Sequence, residues 1–387
     1  MNYLFIIKSN NKTKGGSVFA PLIIRDVITE FYKTKISTLF FKETNFFCLL
    51  FTLNFSQPKY VKVNNQSFSI EIDSISQLLI WFLKNINKYN LVILHGVWSN
   101  IYIISSLLCL IFKKPFCFHP HGSLDTFDIN KRKKFFKKLN GYLFYRNIFS
   151  HSSGLIFTSI LESNRSKTYG ANVNKYIAKL TSPNKTDNRK LDKHKVLKIK
   201  KKYKIKKEKK ILLFLSRIDP KKGLDILLEA LYLINKEEKS MVLIIAGIGN
   251  KNYINYIKKL IKKLNLGEDV RLLGHVSGNE KSDIMKISDL FVLPTLNENF
   301  GIAIVESLQN NLPVLITKDV YIYKEILKEN ACYICDRDPY NLSIKIRNIL
   351  IHRKDNKYEK KYINCFNNKF SREICAQEHF NIYKKLI

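Results

Sequence analysis

Short apolar runs recur along the chain, each followed by a polar loop and then a segment compatible with a helix. Leu4–Asn10 (LFIIKSN), Leu91–Asn100 (LVILHGVWSN), Pro115–Asp125 (PFCFHPHGSLD) and Leu155–Arg165 (LIFTSILESNR) carry this pattern in the first half. In the second half, ILLFL at 211–215, Leu243–Asn250 (LIIAGIGN) and Phe291–Pro294 (FVLP) repeat it. Runs this short and this apolar predict buried strands. Their alternation with helices predicts an α/β protein built on parallel sheets covered on both faces. A chain of 387 residues exceeds one ordinary core and suits two such domains. The highly charged stretch Lys185–Lys210 marks the boundary, and its second part is compatible with a short basic helix. The first domain is expected over 1–185 and the second over 186–366.

Three strand-end loops in the second half carry candidate chemistry. The segment Phe291–Pro313 reads as strand, loop and helix, with Glu298 and Glu306 flanking the helix start and Asn299-Phe300-Gly301 in the loop. A helix N-terminus offers unpaired N–H groups and partial positive charge, which suit a diphosphate. Ionised glutamate only accepts hydrogen bonds, which suits sugar hydroxyls. The loop Ser216–Gly223 places Arg217 and Lys222, two phosphate-binding cations, beside a glycine that permits close backbone approach. The third loop ends its strand in Gly247-x-Gly249. Glutamates eight apart also arise by chance in solvated helices, and a lone Gly-x-Gly is weak. Taken together, the loops describe a site for a nucleotide sugar.

This constellation resembles the catalytic domain of retaining glycosyltransferases of the GT-B fold, glycosyltransferase family four. The family's Arg…Lys-Gly loop, Gly-x-Gly strand end and Glu-x7-Glu motif stand here as Arg217, Lys222-Gly223, Gly247-x-Gly249 and ENFGIAIVE. Asn299 occupies a position where the family commonly has glycine, and asparagine tolerates left-handed backbone well. In the first half, Gly15-Gly16 matches a loop that in the family lies near the donor phosphates and the acceptor. The string His121-Gly122-Ser123-Leu124-Asp125 resembles a subgroup that builds bacterial surface polysaccharides. Thr158-Ser159-x-x-Glu162 resembles another family strand end, and Pro183-Asn184-Lys185 replaces the family's common Pro-Asn-Gly. The resemblance implies two Rossmann-like domains facing each other across a cleft, with residues 367–387 forming helices that return to the first domain.

The resemblance also implies roles. Glu306 would bind ribose hydroxyls, Glu298 and His121 the donor sugar, and Arg217 and Lys222 the departing diphosphate. Gly15, Gly16, Gly247, Gly249, Asn299, Phe300 and Gly301 would shape the donor site. The implied activity is retaining transfer of a hexosyl or related group from a nucleoside-diphosphate sugar to a glycan or lipid-linked glycan, in lipopolysaccharide, capsule or exopolysaccharide synthesis. No side-chain nucleophile is evident, and no cofactor or metal is expected. Two alternatives stay open: a nucleotide-sugar epimerase of the same fold, and a basic membrane- or nucleic-acid-binding protein with a degenerate site.

The formal net charge of +34 raises the question of an anionic partner. The chain is also rich in Lys, Asn and Ile, which suggests an A+T-biased coding sequence. No helix-turn-helix, zinc-finger or RNA-binding signature is present, so no nucleic acid is expected. The tract Lys131–Arg146 (KRKKFFKKLNGYLFYR) interleaves basic and aromatic residues and suggests an anionic membrane surface; a solvated basic face over a buried stripe is the plain alternative. The N-terminus runs straight into a strand pattern without a cleavage site, and the apolar stretch 101–112 is too short to span a bilayer. A cytoplasmic protein, peripheral at the inner face of the plasma membrane, is expected. Seven scattered cysteines fit reduced thiols in the core. Cys332-x-x-Cys335 lacks a second pair, and His119 with His121 is a weak metal pattern, so neither is assigned a metal.

Overall fold

The computed structural model describes residues 1–8, 16–41, 57–64, 67–131, 134–185, 189, 191–352 and 360–387. Gly15 lies outside the described residues. The chain divides into two compact units, Met1–Leu180 with Arg372–Ile387, and Thr181–Ser371.

The first unit is built on an eight-stranded sheet. Its strands are β1 (Asn2–Ile7), β2 (Lys35–Phe41), β3 (Lys59–Asn64), β4 (Ser67–Ile72), β5 (Leu91–His95), β6 (Phe116–His119), β7 (Gly154–Phe157) and β8 (Lys175–Ile177). The order is β3-β4-β2-β1-β5-β6-β7-β8, parallel throughout except for the antiparallel edge strand β3. Central strands such as β5 (LVILH) are buried along their whole length, while β3 is exposed along its whole length. That contrast explains the near-continuous apolar runs in the sequence. The helix Asn100–Ile111 is buried on one side only: Tyr102, Leu108 and Cys109 face inward while Ile111 is exposed. Leu107, Leu110 and Ile111 give it an apolar outer face.

The terminal helix Arg372–Lys385 completes this first unit. Tyr32 and Phe380 stack with centroids 3.9 Å apart, and Arg372 pairs with Glu30 at 2.6 Å. Lys179 N–H donates to Glu378 Oε2 at 2.7 Å.

The second unit is built on a six-stranded parallel sheet. Its strands are β9 (Lys210–Leu215), β10 (Met241–Ala246), β11 (Val270–Gly274), β12 (Leu290–Leu293), β13 (Val314–Ile316) and β14 (Tyr333–Ile334). The order is β11-β10-β9-β12-β13-β14, so the chain winds outward from β9 in one direction and from β12 in the other. The order therefore reverses between β9 and β12, and the crevice beyond the strand ends at such a reversal is where open α/β sheets bind ligands. Sequence placed the boundaries after 185 and after 366; the compact units break after 180 and after 371. Gln309 Nε2 donates to Asn184 O at 3.2 Å, which ties 184 to the second unit. The ring of Phe370 meets Phe300 edge-on at 6.0 Å, which ties 370 to it as well.

The basic stretch is not a bare linker. Lys193–Lys202 forms a helix capped by Asp192, whose Oδ1 accepts from Lys195 N–H at 2.7 Å. Lys202 pairs with Glu280 at 2.8 Å, docking that helix on the helix Gly278–Ile287 within the second unit. Among the described residues, no helix is long and apolar enough to cross a membrane.

Candidate active site

The loop after β9 carries the two predicted cations in different states. Pro220–Lys222 forms a single 3-10 turn, capped by Asp219 Oδ1 accepting from Lys221 N–H at 3.0 Å. Gly223 then takes φ +69°, and a Cβ there would lie 2.2 Å from Pro294 O. Glycine is thus what brings this loop against the one after β12. The contact is latched by Leu296 N–H donating to Lys221 O at 2.7 Å and Thr295 Oγ1 donating to the same oxygen at 3.1 Å. The turn drives Lys222 inward, where its side chain is buried and its ammonium is hydrogen-bonded to Glu298 Oε2. Arg217, by contrast, is exposed.

Glu298 is fixed by its backbone and tuned by these cations. Its N–H donates to Asp319 O, and its carbonyl accepts from Tyr321 N–H, each at 3.0 Å. Burial, the largest influence, pushes its carboxyl up. The charge and hydrogen bond of Lys222, with the charges of Lys221 and Arg217, outweigh it and hold the group below the usual carboxylate range. Glu298 is therefore an ionised acceptor at neutral pH.

Glu306 follows in the helix Ile302–Gln309, whose N-cap is Gly301 at φ +81°. Its buried carboxyl is raised by desolvation, and Lys281 opposes this by charge and by a hydrogen bond to Oε1. This pair borders a pocket of about 220 Å³ whose lining also includes Lys185, Gly278, Gln309 and Asn310. Lys281 was not foreseen: it lies on the separate helix Gly278–Ile287, and no local spacing links it to Glu306.

The remaining predicted residues of this unit have structural surroundings of their own. A Cβ on Gly247 would lie 1.8 Å from Ser216 O, and one on Gly249 would lie 2.1 Å from Ile218 O. Ile218 N–H donates to Ile248 O at 2.8 Å. The Gly-x-Gly segment thus packs directly on the backbone that carries Arg217. Phe300 is buried against Phe370, so its ring is part of the core. Asn299 does not adopt a positive φ, contrary to the left-handed backbone entertained for it; Gly301 supplies that conformation in this loop.

The residues from the first half lie in the first unit. Gly16 opens the helix Gly16–Phe31 after β1. His121 stands after β6 at φ +50°, a left-handed conformation uncommon outside glycine, and Gly122 follows at φ +81°. The carboxyl group of Glu162 holds this turn: Oε1 accepts from Gly122 N–H at 2.6 Å, and Oε2 accepts from Thr158 N–H at 2.6 Å and Thr158 Oγ1 at 2.7 Å. The sequence quoted Glu162 only as part of a motif; its partner 40 residues away is a tertiary fact.

His121 also closes a stack of buried imidazoles. Its Nε2 lies 2.9 Å from His95 Nδ1, and the rings of His95, His119 and His121 are nearly parallel at 5.0–5.3 Å. His379 of the terminal helix stacks on His119 at 5.2 Å. Burial lowers His121 to about 3 and His379 to about 4, with His379 adding to the shift of His121. At neutral pH His121 is therefore an uncharged imidazole, able to exchange hydrogen bonds but not to present a positive charge. Among the described residues, no group of three or more His, Cys, Asp or Glu is placed to hold a metal ion. Cys332 and Cys335 are buried free thiols, each pushed up to about 12, chiefly by burial.

Residues 196–364, within the second unit, match the family Glycosyl transferases group 1. The chain is 27% identical over 192 residues to an uncharacterized glycosyltransferase of Methanocaldococcus jannaschii, covering 46% of each chain. It is 29% identical over 101 residues to the O-antigen chain mannosyltransferase of Salmonella typhimurium, covering 26% of this chain and 28% of that one. The chain thus spans less than half the length of these curated relatives. In fold, it superposes on the crystal structure of Anabaena HepE in complex with UDP-glucose with a TM-score of 0.75 at 17% identity, covering 99% of this chain and all of that one. With two α/β units on parallel sheets, the chain has the GT-B fold, and residues 196–364 of its second unit match the glycosyl transferases group 1.

Proposed function

We propose that this chain is a retaining glycosyltransferase that moves a hexosyl or related group from a nucleoside-diphosphate sugar to a hydroxyl of a glycan or lipid-linked glycan. The observation that carries this reading is the meeting of Lys222 and Glu298, under the added charge of Arg217, on adjoining loops at the order reversal of the second sheet. The Lys222 ammonium has three donors and gives one to Glu298, which leaves others for a diphosphate. Arg217, being exposed, is free to turn toward the same anion. Glu298 is held ionised, which suits an acceptor for sugar hydroxyls, and Glu306 lines a pocket of its own, where it would accept from the ribose.

In the proposed reaction the bond from the anomeric carbon to the phosphate oxygen breaks and a bond to the acceptor oxygen forms on the same face. The acceptor's proton passes to an oxygen of the departing diphosphate. Lys222 and Arg217 stabilise the charge that develops there, the place where preorganised cations contribute most. They would take the part that a divalent ion plays in other transferases, so turnover is expected to survive EDTA; complete loss restored by magnesium would refute this. The UDP-glucose complex of the structural neighbour and the O-antigen role of the Salmonella relative support a nucleotide-sugar donor and a surface-polysaccharide acceptor. A peripheral place at the membrane surface is part of the same proposal, suggested by the basic and aromatic tract Lys131–Arg146.

The test begins with thermal unfolding in UDP, GDP, ADP and their sugar conjugates without metal. A nucleotide at a hundred times its Kd should add about 2.7 kcal/mol of stability, and Glu306→Ala should abolish the shift. No shift with any nucleotide, in a folded sample, counts against the donor site. Release of free nucleoside diphosphate only when acceptor is present separates a transferase from an epimerase of the same fold and from a binding protein.

A further inference from the structure

The segment Lys134–His151 carries two apolar stripes where a surface helix ordinarily has one. It runs through the helix Lys134–Asn140, a π-turn at Gly141–Tyr145 and the helix Arg146–His151. The inner stripe anchors it. Tyr145, Ile148 and Phe149 are buried, and the Tyr145 hydroxyl donates to Val97 O. A Cβ on Gly141 would lie 2.3 Å from the ring of Tyr169, so glycine allows the segment to lie on that ring. Lys137 turns inward too, donating to Asp128 O at 2.8 Å, with its ammonium 5.8 Å from the centroid of Trp98.

The outer stripe is exposed, although the ring of Tyr142 meets Tyr169 edge-on at 5.2 Å. Phe135, Phe136, Leu139, Tyr142 and Leu143 follow helical spacing and are 72%, 63%, 42%, 62% and 57% exposed. A solvated helix face is ordinarily polar, and a contiguous exposed apolar face marks an interaction surface. Lys138 and Arg146 are exposed on the same segment, and the sequence leading into it is Lys131-Arg132-Lys133-Lys134.

We propose that the outer face of this segment lies in the surface of an anionic lipid bilayer. Phe135, Phe136, Leu139 and Leu143 enter the boundary between headgroups and acyl chains, and Lys138 and Arg146 meet the lipid phosphates. Charge selects this occupant. A second copy of a chain with net charge +34 would bring like charges together at the patch, whereas an anionic bilayer offers an apolar layer beneath a negative one. The segment is too short to span a membrane and has the pattern of one that lies in the interface. The proposal deepens the functional reading by naming a lipid surface as the place where the acceptor is met.

The experiment is sedimentation of the full chain with phosphatidylcholine vesicles and with vesicles that also contain phosphatidylglycerol, at low and high salt, without donor. Wild type should bind the anionic vesicles more tightly and lose affinity with salt. The triple variant Phe135→Ser, Phe136→Ser, Leu143→Ser should lose binding while its thermal unfolding is unchanged, since all three side chains are exposed. Lys138→Gln with Arg146→Gln should weaken binding about tenfold or more. Absence of wild-type binding to anionic vesicles, or binding undiminished in the triple variant, would overturn the proposal. So would a wild-type dimer that the triple variant dissolves, because a second copy would then cover the face. Binding is read without turnover, so its failure is distinct from failure of the donor site.

Discussion

Acid should weaken the first unit through its stacked histidines, and the size of the effect follows from their burial. His95, His119, His121 and His379 are held neutral, each lowered first by desolvation. The groups around them offset little of this: Tyr383 and Cys375 carry raised pKa values and stay neutral, and Glu378, whose charge raises His379, is itself paired with Lys179. In the unfolded chain each imidazole protonates near 6.5. Below that pH the unfolded state binds more protons than the folded one, so stability is complete above about 6.5 and falls as pH drops toward the folded values, about 3 for His121 and about 4 for His379. Each such histidine withdraws about 1.4 kcal/mol per pH unit, so the four together withdraw about 5 kcal/mol between pH 7.5 and 5.5, comparable with the whole stability of many domains. The chain's two tryptophans, Trp81 and Trp98, both belong to the first unit. Urea unfolding followed by tryptophan fluorescence at pH 7.5, 6.5 and 5.5 therefore reports this unit. In His119→Phe, which keeps a stacked ring but removes one titrating group, the pH dependence should shrink by about a quarter. A wild-type midpoint that does not move between pH 7.5 and 5.5, or an undiminished slope in His119→Phe, would refute the reasoning.

Other perturbations test the second unit. Gly247→Ala forces a Cβ onto Ser216 O at 1.8 Å and should cost about 2–4 kcal/mol in denaturant unfolding, with weaker nucleotide binding; a stable variant with normal binding would show that the Arg217 loop is not seated as described. Lys281→Met leaves the buried Glu306 carboxyl without its cation and should lower stability by about 1–3 kcal/mol, read as a drop in Tm; an unchanged Tm would mean the pair does not form in solution. Arg217→Ala removes an exposed side chain, so the unliganded Tm should hold while nucleotide-induced stabilisation falls by about 1–3 kcal/mol; an undiminished ligand shift would remove Arg217 from the diphosphate site.

The sequence by itself determined the kind of protein this is. Short apolar runs such as ILLFL, LIIA and FVLP, bounded by polar loops, read as buried strands, and the segments that follow them carry Arg217, Lys222, Gly247, Glu298 and Glu306 in a legible order. Local chemistry was enough for that, because strand, turn and helix signals act over a few residues. Only the tertiary structure decided which of these loops adjoin. The winding of the second sheet makes β9 and β12 neighbours, though the 74 residues 216–289 lie between them, and thereby sets Lys222 on Glu298. The same is true of Lys281 on Glu306, Glu162 on the Gly122 N–H, and His379 closing the imidazole stack from the far end of the chain. Asn299 and Gly301 show the limit at its smallest scale: either residue type can accept positive φ, and only the loop's packing assigns it to the glycine. Local propensity states what each segment can be, whereas burial and long-range pairing decide which groups lose their water together and must therefore satisfy one another.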